Sequence, residues 1–229
     1  MFRAATLEEA TEKNGVFISP RGATVIDLIG RRETEDEGPL AFLVRSPPGS
    51  PLKAHFHSAD QFQVFLEGRA WIGRHGVRVG SVHYADGYTP YGPILPFEDE
   101  GHTYATLRPY WSYDVHWVPE EIALAKGRSG RNLTGETAPA EERVPGLRDI
   151  FVEPDGVAAR EFVAGPDEAV PLLGGHGYYI VLDGELICRD HSYPFGSCLW
   201  TTPSDPPELR SGPTGAVVAM LTYADRDYS

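Results

Sequence analysis

Residues 49–68 read GSPLKAHFHSADQFQVFLEG, a pattern of the form G-x5-H-x-H-x3-Q-x6-G. His55 and His57 stand two residues apart in a segment with strand character. Alternate residues of a strand face one way, so both imidazoles project to the same side. Two imidazoles on one face, with a third polar group close behind, begin a transition-metal site. Gln61 is the third candidate, because it opens the run Gln61-Phe62-Gln63-Val64-Phe65-Leu66, which starts by alternating polar and apolar residues.

With Gly49, His55, His57 and Gly68 at these intervals, the stretch resembles the first motif of the cupin superfamily. That motif has a leading Gly, His-x-His, an acidic residue and a closing Gly. Gln61 stands where the family usually carries Glu, and Asp60 would break both flanking spacings by one residue. The resemblance implies a small β-barrel holding one divalent transition metal, Fe(II) foremost, with Mn, Ni, Cu or Zn as alternatives. A Gln ligand brings no charge to the cation. An anionic substrate would supply the balance.

Composition agrees with an all-β chain. The 229 residues include 25 Gly, 20 Pro, 11 Tyr and 10 Phe, and many short apolar runs are separated by Gly, Pro, Asp and Ser. A net charge of −13 argues against a nucleic-acid partner, which needs a basic face. Cys188 and Cys198 are too few for a disulfide framework. The polar opening MFRAATLEEATEKNG, with room for a short helix, gives no apolar leader, and no run is long enough to cross a membrane. The expectation is a cytoplasmic protein that acts on a small molecule, and the family resemblance implies a homodimer.

The second half echoes the first. A shift of 116 positions carries Gly49 onto Gly165 and Gly68 onto Gly184, and sets Gln61-Phe-Gln-Val-Phe-Leu-Glu67 against Gly177-Tyr-Tyr-Ile-Val-Leu-Asp183. Two copies of one β-unit are expected, resembling a bicupin: two tandem jelly-roll barrels. The division read from sequence is an N-terminal segment over 1–19, a metal-binding barrel over 20–118, a linker over 119–146 and a degenerate barrel over 147–229. The linker begins with a possible helix at 119–126. In the second copy His55, His57 and Gln61 are replaced by Pro171, Leu173 and Gly177, so no side chain there can hold a metal.

Cupins add a last His from a second motif, G-x5-P-x-G-x2-H-x3-N. Pro90-Tyr91-Gly92 matches its P-x-G, but Leu95 stands where the His should be. His102 and His83 are equal candidates to complete the site, with Tyr88 as a third. His102 opens the strand-like run His102-Thr-Tyr-Ala-Thr-Leu-Arg108, whose one face carries His102, Tyr104, Thr106 and Arg108. On parity, Gln63 is placed to orient a hydroxyl or carboxylate, Tyr104 to donate a proton, and Arg108 to pair with a substrate carboxylate. Tyr91 lies in a stiff Pro-flanked turn and reads equally as a substrate-facing group or a plain connection. The leading expectation is a non-haem metal oxygenase acting on a small anionic or enolisable substrate. A metal-dependent isomerase, cyclase or lyase without O2 chemistry and a non-catalytic binding cupin are the alternatives.

Overall fold

The computed structural model describes residues 1–33, 38–97, 99–125 and 130–224. The chain folds as two compact units. One comprises Asn14–Glu136; the other comprises Met1–Lys13 with the described residues from Thr137 onward. No helix among the described residues is long and apolar enough to cross a membrane.

Both ends of the first unit differ from the division read in the sequence. The opening residues are not a separate segment, because Arg3–Ala5 pairs antiparallel with Cys198–Thr201 and joins the second unit's sheet. The helix that follows, Leu7–Asn14, is started by a capping box. Thr6 Oγ1 accepts the Glu9 amide at 3.1 Å, and the Glu9 carboxylate accepts the Thr6 amide at 3.3 Å. Residues Asn132–Glu136, placed by sequence in the linker, form a strand against Ser81–Ala85. The helix expected at 119–126 is a single 3-10 turn, Ile122–Ala125, and residues 126–129 lie outside the described residues.

In the first unit the main antiparallel sheet runs, in spatial order, Asn132–Glu136, Ser81–Ala85, Gln61–Ile72, His102–Arg108, Leu40–Ser46, Thr24–Ile29 and Phe17–Ile18. A separate ribbon pairs His55–Phe56 with His116–Trp117. All six residues from Gln61 to Leu66 are buried, so the strand has cover on both faces. Register then lines up one inward row after another. Gln63 lies opposite Thr106 and His83, Phe65 opposite Tyr104, and Tyr104 opposite Val44.

The second unit repeats this plan. Its long strand Gly177–Cys188 folds onto His191–Pro194, and the corresponding hairpin of the first unit is Gln61–Ile72 with His75–Arg78. Both strands of the one hairpin sit 116 residues after those of the other. Its interior is filled by a buried cluster including Phe162, Tyr179, Val181, Leu199, Val218 and Met220. Tyr179, the counterpart of Gln63, turns its hydroxyl back onto the chain. It donates to the Pro171 carbonyl at 3.0 Å and accepts the Leu173 amide at 2.9 Å. The aromatic ring thus closes the space that Gln63 leaves open in the first unit.

Candidate metal centre and ligand cavity

A cavity of about 300 Å³ opens inside the first unit, at the small end of the range for small-molecule sites. Its walls bring together six of the residues picked out by strand parity: His55, His57, Gln61, Gln63, Tyr104 and Arg108. The other two candidates are placed elsewhere. His83 lies beside Gln63 on the neighbouring strand, buried and not bordering the cavity, with Nδ1 3.1 Å from Gln63 Oε1 and its ring 4.9 Å from that of Tyr91. His102 stacks on Tyr104 with ring centroids 5.8 Å apart, one step further along the strand, and does not border the cavity. Two residues of strand carry a side chain roughly 7 Å onward, enough to leave the site. Tyr88, at φ 61°, gives its amide to the His57 carbonyl and does not border the cavity either.

The two imidazoles are held in the same way. His55 Nδ1 lies 2.7 Å from the Lys53 carbonyl, and His57 Nδ1 lies 2.5 Å from the Asp114 carbonyl. A carbonyl only accepts, so each Nδ1 carries the proton and each Nε2 presents a lone pair. The loop that supplies the Asp114 carbonyl is pinned by the Asp114 carboxylate, which accepts the Ser58 amide at 2.7 Å and lies 3.1 Å from His116 Nε2.

Arg108 sets the polarity of the rest. Its Nε and Nη2 both donate to Gln61 Oε1, at 3.0 and 2.8 Å, and Nη1 donates to the Ser112 carbonyl. A guanidinium cannot accept, so the Gln61 oxygen must face it and the Gln61 amide must face away. That amide donates to the Tyr91 hydroxyl at 2.7 Å. The hydroxyl hydrogen is then free to point at His57 Nε2, 3.2 Å away. The chain of donors therefore runs Arg108 to Gln61 to Tyr91 to His57, each link fixed by the one before.

Burial is the main cause that holds the His55 pKa at about 4, against its hydrogen bond to Lys53, with the charges of Arg108 and Arg21 adding to the fall. Burial likewise puts His57 well below the usual histidine range, with Arg108 and His55 reinforcing it. Both rings are neutral at pH 7, the form that ligates a metal without first losing a proton. Burial pushes the Tyr104 hydroxyl up to about 12 and the Tyr91 hydroxyl higher still.

These residues fit a divalent metal at two positions. Among the described residues His55 Nε2 makes no hydrogen bond, and His57 Nε2 holds only the long contact from Tyr91. Gln61 does not fit as the third ligand, since its oxygen is taken twice by Arg108. Among the described residues no group of three or more His, Cys, Asp or Glu side chains is placed to hold a metal. The missing charge would have to come from a bound ligand.

Sequence reasoning passed over several cavity residues. Tyr91, left open as turn or site, is 7 % exposed and joins two of the key side chains. Arg21, Asp114 and Trp117 also border the space. Arg21 and Asp114 arrive from loops and Trp117 from a two-residue strand, too short for any periodicity to mark a facing.

No protein-family model matches the sequence, and no curated protein matches it at significant similarity. Solved structures do match the fold. The chain is similar to a bacterial pirin, YhhW of Escherichia coli in complex with nickel(II), at TM-score 0.65 and 10 % identity, over 98 % of this chain and 100 % of that one. It is similar to a provisionally assigned dioxygenase from Nostoc punctiforme at TM-score 0.66 and 10 % identity, over 98 % and 83 %. It is also similar to oxalate decarboxylase from Bacillus subtilis at TM-score 0.60 and 13 % identity, over 94 % and 75 %. Such distant identity speaks for fold alone. With two antiparallel β-units repeating one plan, the chain has the tandem-barrel fold of the cupin superfamily.

Proposed function

We propose that the first unit is a metal-dependent enzyme site, an oxygenase that uses Fe(II), or another divalent transition metal in its place, on a small anionic or enolisable organic substrate. One observation carries this reading. Two neutral imidazoles, each fixed through Nδ1 to a backbone carbonyl, border the same cavity with their Nε2 atoms uncommitted or weakly committed. Second-sphere anchoring of this kind orients metal-binding histidines. A metal at His55 and His57 would supply Lewis-acid polarisation and, as Fe(II), a place for O2. The protein's own residues do the rest. Tyr91 and Gln61 fix the His57 ring, and Gln63 and Tyr104 offer donors to a substrate oxygen.

A binding role without turnover is favoured by a different observation, the commitment of the Gln61 oxygen to Arg108 with no carboxylate in its place. Metal content by mass spectrometry, on the parent and on His55→Ala/His57→Ala, separates the two. Near-stoichiometric iron lost in the variant, with O2 consumption lost alongside it, is the expected result. Absence of any metal after anaerobic reconstitution would leave the binding role. Turnover that persists without O2 would point to isomerase, cyclase or lyase chemistry.

A further inference from the structure

We infer that Arg21 is the anion anchor of this cavity, and that the ligand is a short organic acid whose carboxylate pairs with Arg21 while a second oxygen reaches the donors of Tyr104 and Gln63. The inference deepens the proposed function, since it rests on reading the cavity as a substrate site, but it does not need the metal.

The argument begins with a charge imbalance. The protein carries a net charge of −13, yet three arginines and one aspartate border the cavity. Two of the arginines are spent. Arg32 pairs with Asp27 at 3.0 Å, and Arg108 is committed to Gln61 and Ser112. The Asp114 carboxylate is spent on Ser58, Ser112 and His116. Arg21 is different. It is exposed, it sits in the turn between Phe17–Ile18 and Thr24–Ile29, and its guanidinium has no hydrogen-bond or ion-pair partner among the described residues. It borders the same cavity as His55 and Tyr104.

The inner wall shows the complementary feature. Tyr104 is only 3 % exposed, and its hydroxyl makes no hydrogen bond among the described residues. Gln63 is 2 % exposed; its oxygen meets His83, and its amide has no acceptor among the described residues. A tyrosine hydroxyl and an amide nitrogen are both donors, and both residues border the cavity, where a ligand can reach them. A wall of unspent donors below an unpaired cation calls for a ligand rich in acceptor oxygens. The sides between them, formed by Phe42, Val44, Val25 and Leu52, suit a short carbon skeleton.

The test uses the full-length chain with malonate as probe and malonamide as its uncharged partner. Binding is measured by calorimetry after chelation and again after loading with Ni(II). The parent should bind malonate, with malonamide at least about tenfold weaker. Arg21→Met should weaken malonate at least about tenfold without moving the thermal midpoint, and Arg21→Lys should restore part of it. Tyr104→Phe should weaken malonate by about threefold to tenfold, as expected for one lost hydrogen bond. Equal binding of malonate by Arg21→Met and the parent would overturn the inference. So would equal binding of malonate and malonamide, or binding of neither. Arg21-dependent binding in the chelated protein would uphold it even if the metal reading fails. A metal-loaded protein whose malonate affinity ignores Arg21 would retain the metal reading and discard this one.

Discussion

The Arg108 guanidinium holds the carbonyl oxygen of Gln61 with two hydrogen bonds, from Nε at 3.0 Å and from Nη2 at 2.8 Å. The oxygen that a ligand at position 61 would offer a metal is thus turned to a cation instead. A carboxylate introduced at this place would pair first with Arg108, because bidentate guanidinium–carboxylate contacts are among the stronger polar interactions. Gln61→Glu should therefore raise metal affinity only modestly, by less than about tenfold. Adding Arg108→Met should release the carboxylate and raise the affinity further. Arg108→Met also strips donors from Gln61 and Ser112 and should cost roughly 1–3 kcal/mol of stability, so thermal midpoints are recorded beside the metal titrations. If the single variant binds metal as tightly as the double one, Arg108 is not what keeps position 61 from serving as a ligand.

Tyr91 divides two roles that the geometry allows. As a partner of His57 Nε2 it competes with a metal; as a ligand it would help hold one. Its hydroxyl also accepts the Gln61 amide at 2.7 Å, deep in the protein. Tyr91→Phe should lower stability by roughly 1–3 kcal/mol, since a buried amide loses its acceptor. It should leave metal affinity unchanged or higher, because the His57 lone pair is released. Loss of metal in a folded Tyr91→Phe protein, measured by titration at equal occupancy of the parent, would make Tyr91 a ligand.

The residues that are legible in the sequence share one property: all sit in strands except His57, which directly follows one. His55 and His57, Gln61 and Gln63, and Tyr104 and Arg108 are pairs two or four apart, and a period of two places each pair on one face. The cavity borders all six. What parity could not supply was the partner of each side chain. Parity alone makes Arg108 a substrate clamp, but its donors go to Gln61 and to Ser112, a loop residue whose position depends on tertiary contacts. His102 has the right parity and the wrong depth. The tandem plan was legible because two hairpins share residue types at one offset. The exchange at the termini was not, because Arg3–Ala5 is too short to show a period and pairs with residues near 200.

Acid should loosen the first unit before it touches the carboxylate network. Burial holds His55 and His102 at about 4 and His83 at about 3, against 6.5 for a free histidine. An unfolded chain takes up these protons at a higher pH than the folded one does. The folded state is thus unpenalised above about pH 6.5 and loses stability as the pH falls toward 4. Each pH unit in that window costs roughly 1.4 kcal/mol per histidine. The thermal midpoint should fall steadily between pH 6.5 and 4.5, and His83→Gln should reduce the slope, since an amide at that place does not titrate. A midpoint that is flat across this range would mean that these rings are not held neutral by burial.

Gly68 and Gly184 are the same residue of the repeated plan, and the structure asks the same of both. Each has a positive φ, 70° and 65°. A Cβ on Gly68 would lie 2.0 Å from the Gly101 carbonyl oxygen, and one on Gly184 would lie 2.2 Å from the Gly215 carbonyl oxygen. Those are backbone atoms of the adjoining strand or turn, so the neighbour cannot swing aside. Left-handed backbone alone costs a residue with a side chain roughly 1–3 kcal/mol, and the contact adds to that. Gly68→Ala and Gly184→Ala should each destabilise the unit that carries it by more than about 2 kcal/mol, read by hydrogen exchange resolved to residues 61–72 and 177–188. Loss of protection confined to the first hairpin for the one and to the second for the other is the expected pattern. Substitution at either glycine without effect would mean that the two hairpins share a sequence pattern but not the backbone constraint behind it.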